Sequence, residues 1–422
     1  MKNNLPTRRE RVLGPRMTTF YREPVEIVRG EGVRLWDAAG REYLDAYNNV
    51  PHVGHGHPRV VEAIAAQAAT LNTHSRYLHE GIVDYAERLT ATLGDGLDVL
   101  TMVCTGSEAN DIALRMGWAA TGKTGLIGTD ATYHGNTHLV SQFSAGRTPI
   151  GGRVDWVRRV PAPDSLRPVG GSVEGQAEAF AAEVARAIDE LEAAGHGFAA
   201  LILDPFFANE GFPDLPPGFL APTQDVVRAA GGLIIADEVQ PGFGRTGGHF
   251  WGHERIGLTP DIVTMGKPMG NGYPVAGVVT RAEIVEAFRR DFGYFNTFAG
   301  TPVAAAAASA VLDVIADEGL QARAAEVGGH LLAGLRALDH PRIADVRGAG
   351  LFLGVEFTEP GGLAPAPEFT AEVVERMRER GVLVHRIGRG GNILKIRPPM
   401  VFSRADAERL VEVLGEVLEG MD

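Results

Sequence analysis

An acidic residue and a lysine stand thirty positions apart, each just after an apolar run typical of a buried strand. Asp237 follows Leu233–Ala236, and Lys267 comes after Ile262–Met265 and one glycine. A lysine amine forms a Schiff base with an aldehyde cofactor, and a carboxylate pairs with the nitrogen of a pyridine ring. The two residues therefore predict a site for pyridoxal phosphate (PLP), in which Lys267 holds the cofactor and Asp237 faces its ring nitrogen.

Two other segments could serve the same cofactor. Gly106 and Ser107 stand between a predicted strand and a predicted helix, where backbone N–H groups and the helix N-terminus favour a phosphate. Taken alone, Ser107 and Asn110 could equally form an ordinary helix cap. Tyr133 lies in a turn after a strand and is suited to stacking on a flat ring, although a purely structural tyrosine fits that position as well.

Three histidines, His52, His55 and His57, could suggest a metal site. Their spacing matches neither a helical face nor a common zinc site, and no cysteine or acidic cluster joins them. A hydrogen-bonded loop is the better interpretation, and we expect no metal.

Composition narrows the class of protein. A chain of 422 residues with 45% hydrophobic and 22% charged residues predicts a globular protein of two domains. The net charge of −13 argues against nucleic-acid binding, and no apolar run is long enough to predict a membrane span. The N-terminus lacks the apolar core of a signal peptide, and Cys104 is the single cysteine, so we expect a cytoplasmic protein.

The pattern of elements indicates how these residues are positioned. From about residue 99, strand, loop and helix alternate, which predicts a largely parallel, doubly wound α/β sheet. The expected strands are 100–103, 124–127, 199–203, 232–236, 262–265 and 275–280. An alanine-rich helix at 301–317 would bridge to a smaller α+β domain, with strands at 354–357, 382–384 and 394–396 and helices at 371–380 and 405–419. The hairpin-like segment 33–45 would complete that domain from the N-terminal side.

The phosphate turn, the stacking aromatic, the strand-end acid with Gln240 and the Gly266-Lys267 pair occur in the order found in class III aminotransferases. The chain resembles this family from Tyr43-Leu-Asp45 to Lys395-Ile-Arg-Pro-Pro399. The resemblance implies the fold of type I PLP-dependent transferases. It implies a large domain at 61–302, with a mainly parallel seven-stranded sheet between helices. A small α+β domain would be formed by 1–60 and 303–422.

The resemblance also implies a role for each site residue. Lys267 and Asp237 would be catalytic, and the cofactor would be held by Gly106, Ser107, Tyr133, Asp237, Gln240, Lys267 and Thr297. Gln240 would contact the ring hydroxyl. Thr297 matches a threonine that reaches the phosphate of the neighbouring subunit, which implies a homodimer with active sites at the subunit interface.

Two departures from the family pattern concern the substrate. Where many class III aminotransferases place a carboxylate-binding arginine, this chain has Lys395, with Arg397 beside the prolines. The glutamate that gates that arginine is replaced by Asn209. The usual switch between two kinds of amino-acid substrate is therefore not evident.

Other stretches, among them 48–55, 71–79 and 264–271, resemble the phospho-lyase branch that acts on ethanolamine phosphate and phosphohydroxylysine. The first hypothesis is thus β-elimination of phosphate from a small phosphorylated amine, with Arg76, Lys395 and Arg397 binding the substrate. Arg76 could instead form a structural salt bridge. An ω-aminotransferase with a pyruvate- or glyoxylate-like acceptor is the alternative, and a non-catalytic PLP-binding protein is a third hypothesis.

Overall fold

The protein is described by a computed structural model that covers residues 5–146 and 148–421. The strands are β1 (Ile27–Glu31), β2 (Arg34–Asp37), β3 (Glu42–Asp45), β4 (Val99–Val103), β5 (Gly125–Thr129), β6 (Val157–Val160), β7 (Phe198–Leu203), β8 (Leu233–Asp237), β9 (Ile262–Met265), β10 (Ala276–Thr280), β11 (Ile343–Ala349), β12 (Phe352–Phe357), β13 (Val382–Leu383), β14 (His385–Ile387) and β15 (Ile393–Ile396). The α-helices are α1 (Leu5–Leu13), α2 (Pro58–Thr70), α3 (Glu80–Thr90), α4 (Gly106–Thr121), α5 (Gln176–Ala193), α6 (Ala221–Ala229), α7 (Gly252–Arg255), α8 (Ala282–Phe292), α9 (Pro302–Asp317), α10 (Leu320–Arg336), α11 (Pro367–Glu379) and α12 (Arg404–Glu419).

A seven-stranded sheet with the order β4-β10-β9-β8-β7-β5-β6 forms the centre of the molecule. Strands β6, β5, β7, β8 and β9 are mutually parallel, whereas β10 runs antiparallel to both of its neighbours. Helices cover both faces of such a sheet, so its strands are apolar along their whole length, and every residue of β7 is buried. The prediction of an α/β fold with a mainly parallel seven-stranded sheet is confirmed.

Strand β6 was absent from the sequence prediction. It is short, lies at the sheet edge beyond β5 and contains two half-buried arginines, Arg158 and Arg159. An edge strand with half-buried arginines lacks the continuous apolar run by which the buried strands were found.

The described residues also form two four-stranded sheets. The first has the order β1-β2-β3-β13, so the N-terminal hairpin β2–β3 pairs in parallel with a strand from the C-terminal region. The second is antiparallel, with the order β11-β12-β15-β14. Helix α9 is buried along most of its length and packs on α2 and α3. Strand β15 leads into the segment that carries Arg397.

The parallel arrangement places the functional loops together. Because β4 and β9 are both antiparallel to β10, they run in the same direction as each other and as β5 and β8. The residues after β4, β5, β8 and β9 therefore lie at one edge of the sheet, where open α/β sheets bind their ligands. No helix in the described part of the chain is long and apolar enough to cross a membrane.

Candidate active site

A cavity of about 370 Å³ opens at this edge of the sheet. Six of the residues predicted from the sequence line it: Gly106, Ser107, Tyr133, Asp237, Gln240 and Lys267. They come from four different segments of the chain, so the fold brings together residues up to 161 positions apart (106 to 267).

Lys267 stands at the cavity wall, one residue beyond Gly266 and the end of β9. Burial, and next the positive charge of Arg397, lower the pKa of the Lys267 amine to about 8, although Asp237 and Asp204 oppose this. An amine with that pKa is partly neutral near physiological pH, so it can accept a proton, which an ordinary lysine seldom does.

Asp237, at the end of β8, is only 5% exposed and is held by three donors. Its Oδ2 atom accepts a hydrogen bond from Asn110 Nδ2 at 2.9 Å and lies 2.7 Å from His134 Nδ1. The backbone N–H of Val239 donates to Oδ1 at 3.0 Å. These contacts fix the carboxylate at the cavity, where it would pair with a pyridine nitrogen.

Asn110 and His134 were not predicted as site residues. Asn110 is fully buried, and its Oδ1 accepts a hydrogen bond from Thr264 Oγ1 at 2.6 Å. It is not a capping partner of Ser107, because helix α4 is capped by Thr105. The sequence feature that could have indicated this role is an asparagine on the buried face of a helix, because buried polar side chains need hydrogen-bond partners.

The N-terminus of α4 leaves free donors at the cavity. A capping box between Thr105 and Glu108 occupies the backbone N–H groups of Cys104, Thr105 and Glu108. In the described structure, the N–H groups of Gly106 and Ser107 have no protein acceptor. Such free N–H groups at a helix N-terminus suit a phosphate.

Gly135 allows the turn after β5, which contains Tyr133, to approach the N-terminus of α4 closely. Its φ is +141°, and a Cβ atom there would lie 2.5 Å from Ser107 Oγ. Ser107 Oγ also accepts a hydrogen bond from the backbone N–H of Asn136 at 3.1 Å. The turn therefore holds Ser107 and brings Tyr133 to the cavity wall.

The loop after β7 contains Asn209. This uncharged residue occupies the position at which the family resemblance places a gating glutamate. Asn209 Nδ2 donates to the backbone carbonyl of Tyr133, with an N–O distance of 3.4 Å. The next residue, Glu210, is buried, and its Oε1 accepts a hydrogen bond from Thr129 Oγ1 at 2.6 Å. Burial raises the pKa of Glu210 above its ordinary value.

Lys395 and Arg397 are buried behind the cavity and do not line it. Lys395 Nζ lies 3.0 Å from Gln240 Oε1, and Arg397 Nη1 donates to the same oxygen. In this structure the two predicted substrate cations therefore contact a cofactor-site residue.

Arg76 and Thr297 lie outside this cavity, and both side chains are exposed. The Arg76 guanidinium lies 3.7 Å from the ring centroid of Phe295, two residues before Thr297. The structure thus places the predicted phosphate cation beside the segment predicted to reach a neighbouring subunit.

The three histidines of the N-terminal loop have different partners. His52 Nε2 lies 2.8 Å from the carbonyl of Phe243, His55 contacts Asp45, and His57 contacts Glu318. Among residues 5–146 and 148–421, no group of three or more potential ligands could hold a metal ion.

The residues at the cavity fit PLP: an amine with a lowered pKa, a carboxylate fixed by three donors, and two free N–H groups at a helix end. An aldehyde, a pyridine nitrogen and a phosphate require these three groups.

Known proteins resemble this chain over almost its whole length. The family model described as aminotransferase class III matches residues 18–418. A Drosophila melanogaster protein named alanine–glyoxylate aminotransferase 2-like is 41% identical, over 96% of this chain and 84% of its own length. The ethanolamine-phosphate phospho-lyase homolog 1 of Caenorhabditis elegans is 35% identical, over 100% of this chain and 94% of its own length.

A solved structure of a phospholyase from Arthrobacter in complex with phosphoethanolamine has a TM-score of 0.96 and is 44% identical, covering 99% of this chain and 100% of that one. A Bacillus anthracis aminotransferase has a TM-score of 0.88 at 27% identity, covering 98% of each chain. With these similarities and the site geometry, the chain belongs to the class III aminotransferases, a family of PLP-dependent enzymes with the type I fold.

Proposed function

We propose that this enzyme is a phospho-lyase that eliminates phosphate from a small phosphorylated amine such as O-phosphoethanolamine. The products would be an aldehyde, ammonia and phosphate. The proposal depends mainly on the two positions that form the glutamate–arginine gate in many relatives. Here Asn209 has no charge, and Lys395 is hydrogen-bonded to Gln240 and does not line the cavity. Without a glutamate–arginine gate, the site lacks the device by which many relatives accept two kinds of substrate. The similarity to a phospholyase that binds phosphoethanolamine supports the same conclusion.

Bound PLP supplies the electron-accepting ring that stabilises negative charge on the carbon next to the amine. Lys267 takes the proton from that carbon, because its lowered pKa leaves part of the amine neutral. Asp237 holds the ring nitrogen protonated through its charge, and His134 and Asn110 keep the carboxylate in place.

Departure of phosphate requires a cation that holds the leaving group. Arg76 is suited to this role because its guanidinium is exposed and stacks on a ring, which leaves its edge free for an anion. Since Arg76 and Thr297 lie beside the same loop and outside the cavity of their own chain, both would act in the site of a second subunit.

A homodimer would supply that second subunit. Large apolar side chains surround Arg76 and Thr297 on the surface, with exposed fractions of 66% for Tyr77, 104% for Leu78 and 77% for Phe298. Burial of such a patch against another copy favours association.

Phosphate release distinguishes this proposal from its alternative. Purified enzyme with PLP and O-phosphoethanolamine should release one phosphate and one ammonia per aldehyde formed, without any keto acid. The Lys267→Ala variant should release phosphate about 10⁴-fold more slowly. If the wild type releases no phosphate but forms alanine from pyruvate and an amine, the phospho-lyase proposal is wrong.

An ω-aminotransferase is the second candidate. It is favoured by the 41% identity to the alanine–glyoxylate aminotransferase 2-like protein. Lys267 and Asp237 would do the same work in that reaction, since both begin with removal of the same proton. The two functions therefore differ at the substrate, not at the cofactor.

A further inference from the structure

Gln240 is the residue at which the cofactor cavity meets two buried basic side chains. Its side chain lines the cavity and is 8% exposed. Behind it lie Lys395 and Arg397, which are 2% and 6% exposed. Both donate to the same atom, Gln240 Oε1, the lysine from 3.0 Å.

The chemistry of these neighbours fixes the orientation of the amide. A guanidinium has donors and no acceptor, so Arg397 can bond only to the oxygen of Gln240. Reversing the amide would place its N–H₂ group against the donors of the guanidinium and break that hydrogen bond. The nitrogen, Nε2, therefore points away from Arg397, and within the described residues it donates to no protein group.

Both basic side chains also contact aromatic rings. Lys395 Nζ lies 5.6 Å from the ring centroids of Phe212 and Phe352. Arg397 Nε donates to the carbonyl of Tyr47 at 3.2 Å, and the guanidinium lies 5.0 Å from the Tyr47 ring. Neither side chain is therefore free to follow a substrate.

We propose that Lys395 and Arg397 are positioning residues that fix the Gln240 amide with its N–H₂ group toward the ring hydroxyl of bound PLP. The amide then acts as a donor that stabilises negative charge on the ring oxygen. This role rests on the cofactor site alone and holds for a lyase and for a transaminase.

The visible absorbance band of the bound cofactor, followed against pH, tests the proposal without turnover. A donor to the ring oxygen favours loss of the proton that this oxygen shares with the lysine-linked nitrogen. Lys395→Met should therefore raise the pH midpoint of the band, by on the order of one pH unit, or tenfold in proton affinity. Gln240→Leu should raise it as well.

The double variant decides whether the lysine acts through the amide. If it does, Lys395→Met adds no further shift in the Gln240→Leu background, because interacting residues are not additive. A double variant whose shift equals the sum of the two single shifts would overturn the proposal, since the lysine would then act on the cofactor directly. An unchanged midpoint in Lys395→Met would overturn it as well.

Two controls separate orientation from loss of structure. Lys395→Arg keeps a donor and should retain a midpoint close to the wild type. Lys123→Met removes the half-exposed lysine paired with Glu192 and should leave the midpoint unchanged. If Lys395→Met does not fold, as judged by its thermal melt, the same cycle with Lys395→Leu keeps the test decisive.

Discussion

Asp237 and Arg76 are the two charged groups on which the proposed chemistry depends, and the fold holds them very differently. Asp237 is 5% exposed, with hydrogen bonds from Asn110, His134 and Val239. Arg76 is exposed, and in the described structure its guanidinium contacts the Phe295 ring but forms no salt bridge. A single chain therefore brings most of the predicted cofactor residues together, whereas Arg76 lies outside the cavity of its own chain.

The cofactor side should be the most sensitive to substitution. Lys267→Ala removes the proton acceptor, so we expect the rate to fall by about 10⁴-fold, the upper range for general base catalysis. Steady-state phosphate release measures this loss. The thermal melt of the cofactor-free protein should change little, and a loss of folding instead would leave the catalytic role unsupported.

Asp237→Asn keeps the shape of the side chain but removes its charge. We expect a loss of about 10²–10³-fold, comparable with the removal of one electrostatic contact in an active site. Asp313→Asn is a matched control, because Asp313 forms a surface salt bridge with Arg88 and should leave the rate unchanged. Equal rates for Asp237→Asn and the wild type would mean that the ring nitrogen needs no charged partner.

On the substrate side, Arg76→Ala should affect only phosphorylated substrates. A hydrogen bond to a charged group contributes about 1.5–3 kcal/mol, so kcat/KM for O-phosphoethanolamine should fall by about 10- to 100-fold. For an unphosphorylated amine it should change less than twofold. Arg59→Ala is the control, since Arg59 pairs with Asp317 on the surface. Equal losses for both substrates would indicate a structural role for Arg76.

The same contrast explains what the sequence could predict. Asp237 and Lys267 follow continuous apolar strands, and parallel strands end at one edge of a sheet, so their proximity followed from the pattern. The partners of Lys395 depend on how β15 packs behind the loop after β8, a contact between residues 155 positions apart (395 to 240). A local sequence pattern cannot predict a contact between residues so far apart in the chain.

The loop after β7 was beyond prediction for another reason. Phe207 and Phe212 adopt positive φ angles of 50° and 57°, a conformation that bulky residues rarely take. Packing compensates this strain, because Phe206 stacks on Phe352 at 5.0 Å and Phe212 lies 4.7 Å from the same ring. Tertiary contacts override local preference here, so the position of Asn209 could not be derived from its own segment.

The pH dependence of turnover provides a test of Lys267 within the intact site. Its pKa is lowered to about 8, so the amine is protonated below that pH and neutral above it. Since the base must be neutral, kcat should rise about tenfold per pH unit below pH 8 and level off above it. With an ordinary lysine, kcat would continue to rise up to about pH 10 before it levels off. A rise that continues to that pH would show that burial and Arg397 do not act on Lys267 as described.

Glu210→Gln should have the smallest effect, and it concerns stability. Burial raises the pKa of Glu210, and its Oε2 atom has no hydrogen-bond partner among the residues that the structure describes. A raised carboxyl pKa favours the folded state while the group is protonated, and this stability is lost as pH rises from the unfolded pKa through the folded pKa. The neutral amide avoids that loss. Melting curves should therefore show Glu210→Gln gaining about 1 kcal/mol relative to the wild type between acidic and neutral pH.

Thr129→Val is the matched comparison for Glu210→Gln. It removes the hydroxyl that donates to Glu210 Oε1 and leaves the carboxylate without that hydrogen bond. Loss of this donor raises the folded pKa of Glu210 further, so Thr129→Val should lose stability relative to the wild type over the same pH range. Opposite pH trends for the two variants would locate the titrating group at Glu210. Parallel trends would mean that a group other than Glu210 titrates in this pH range.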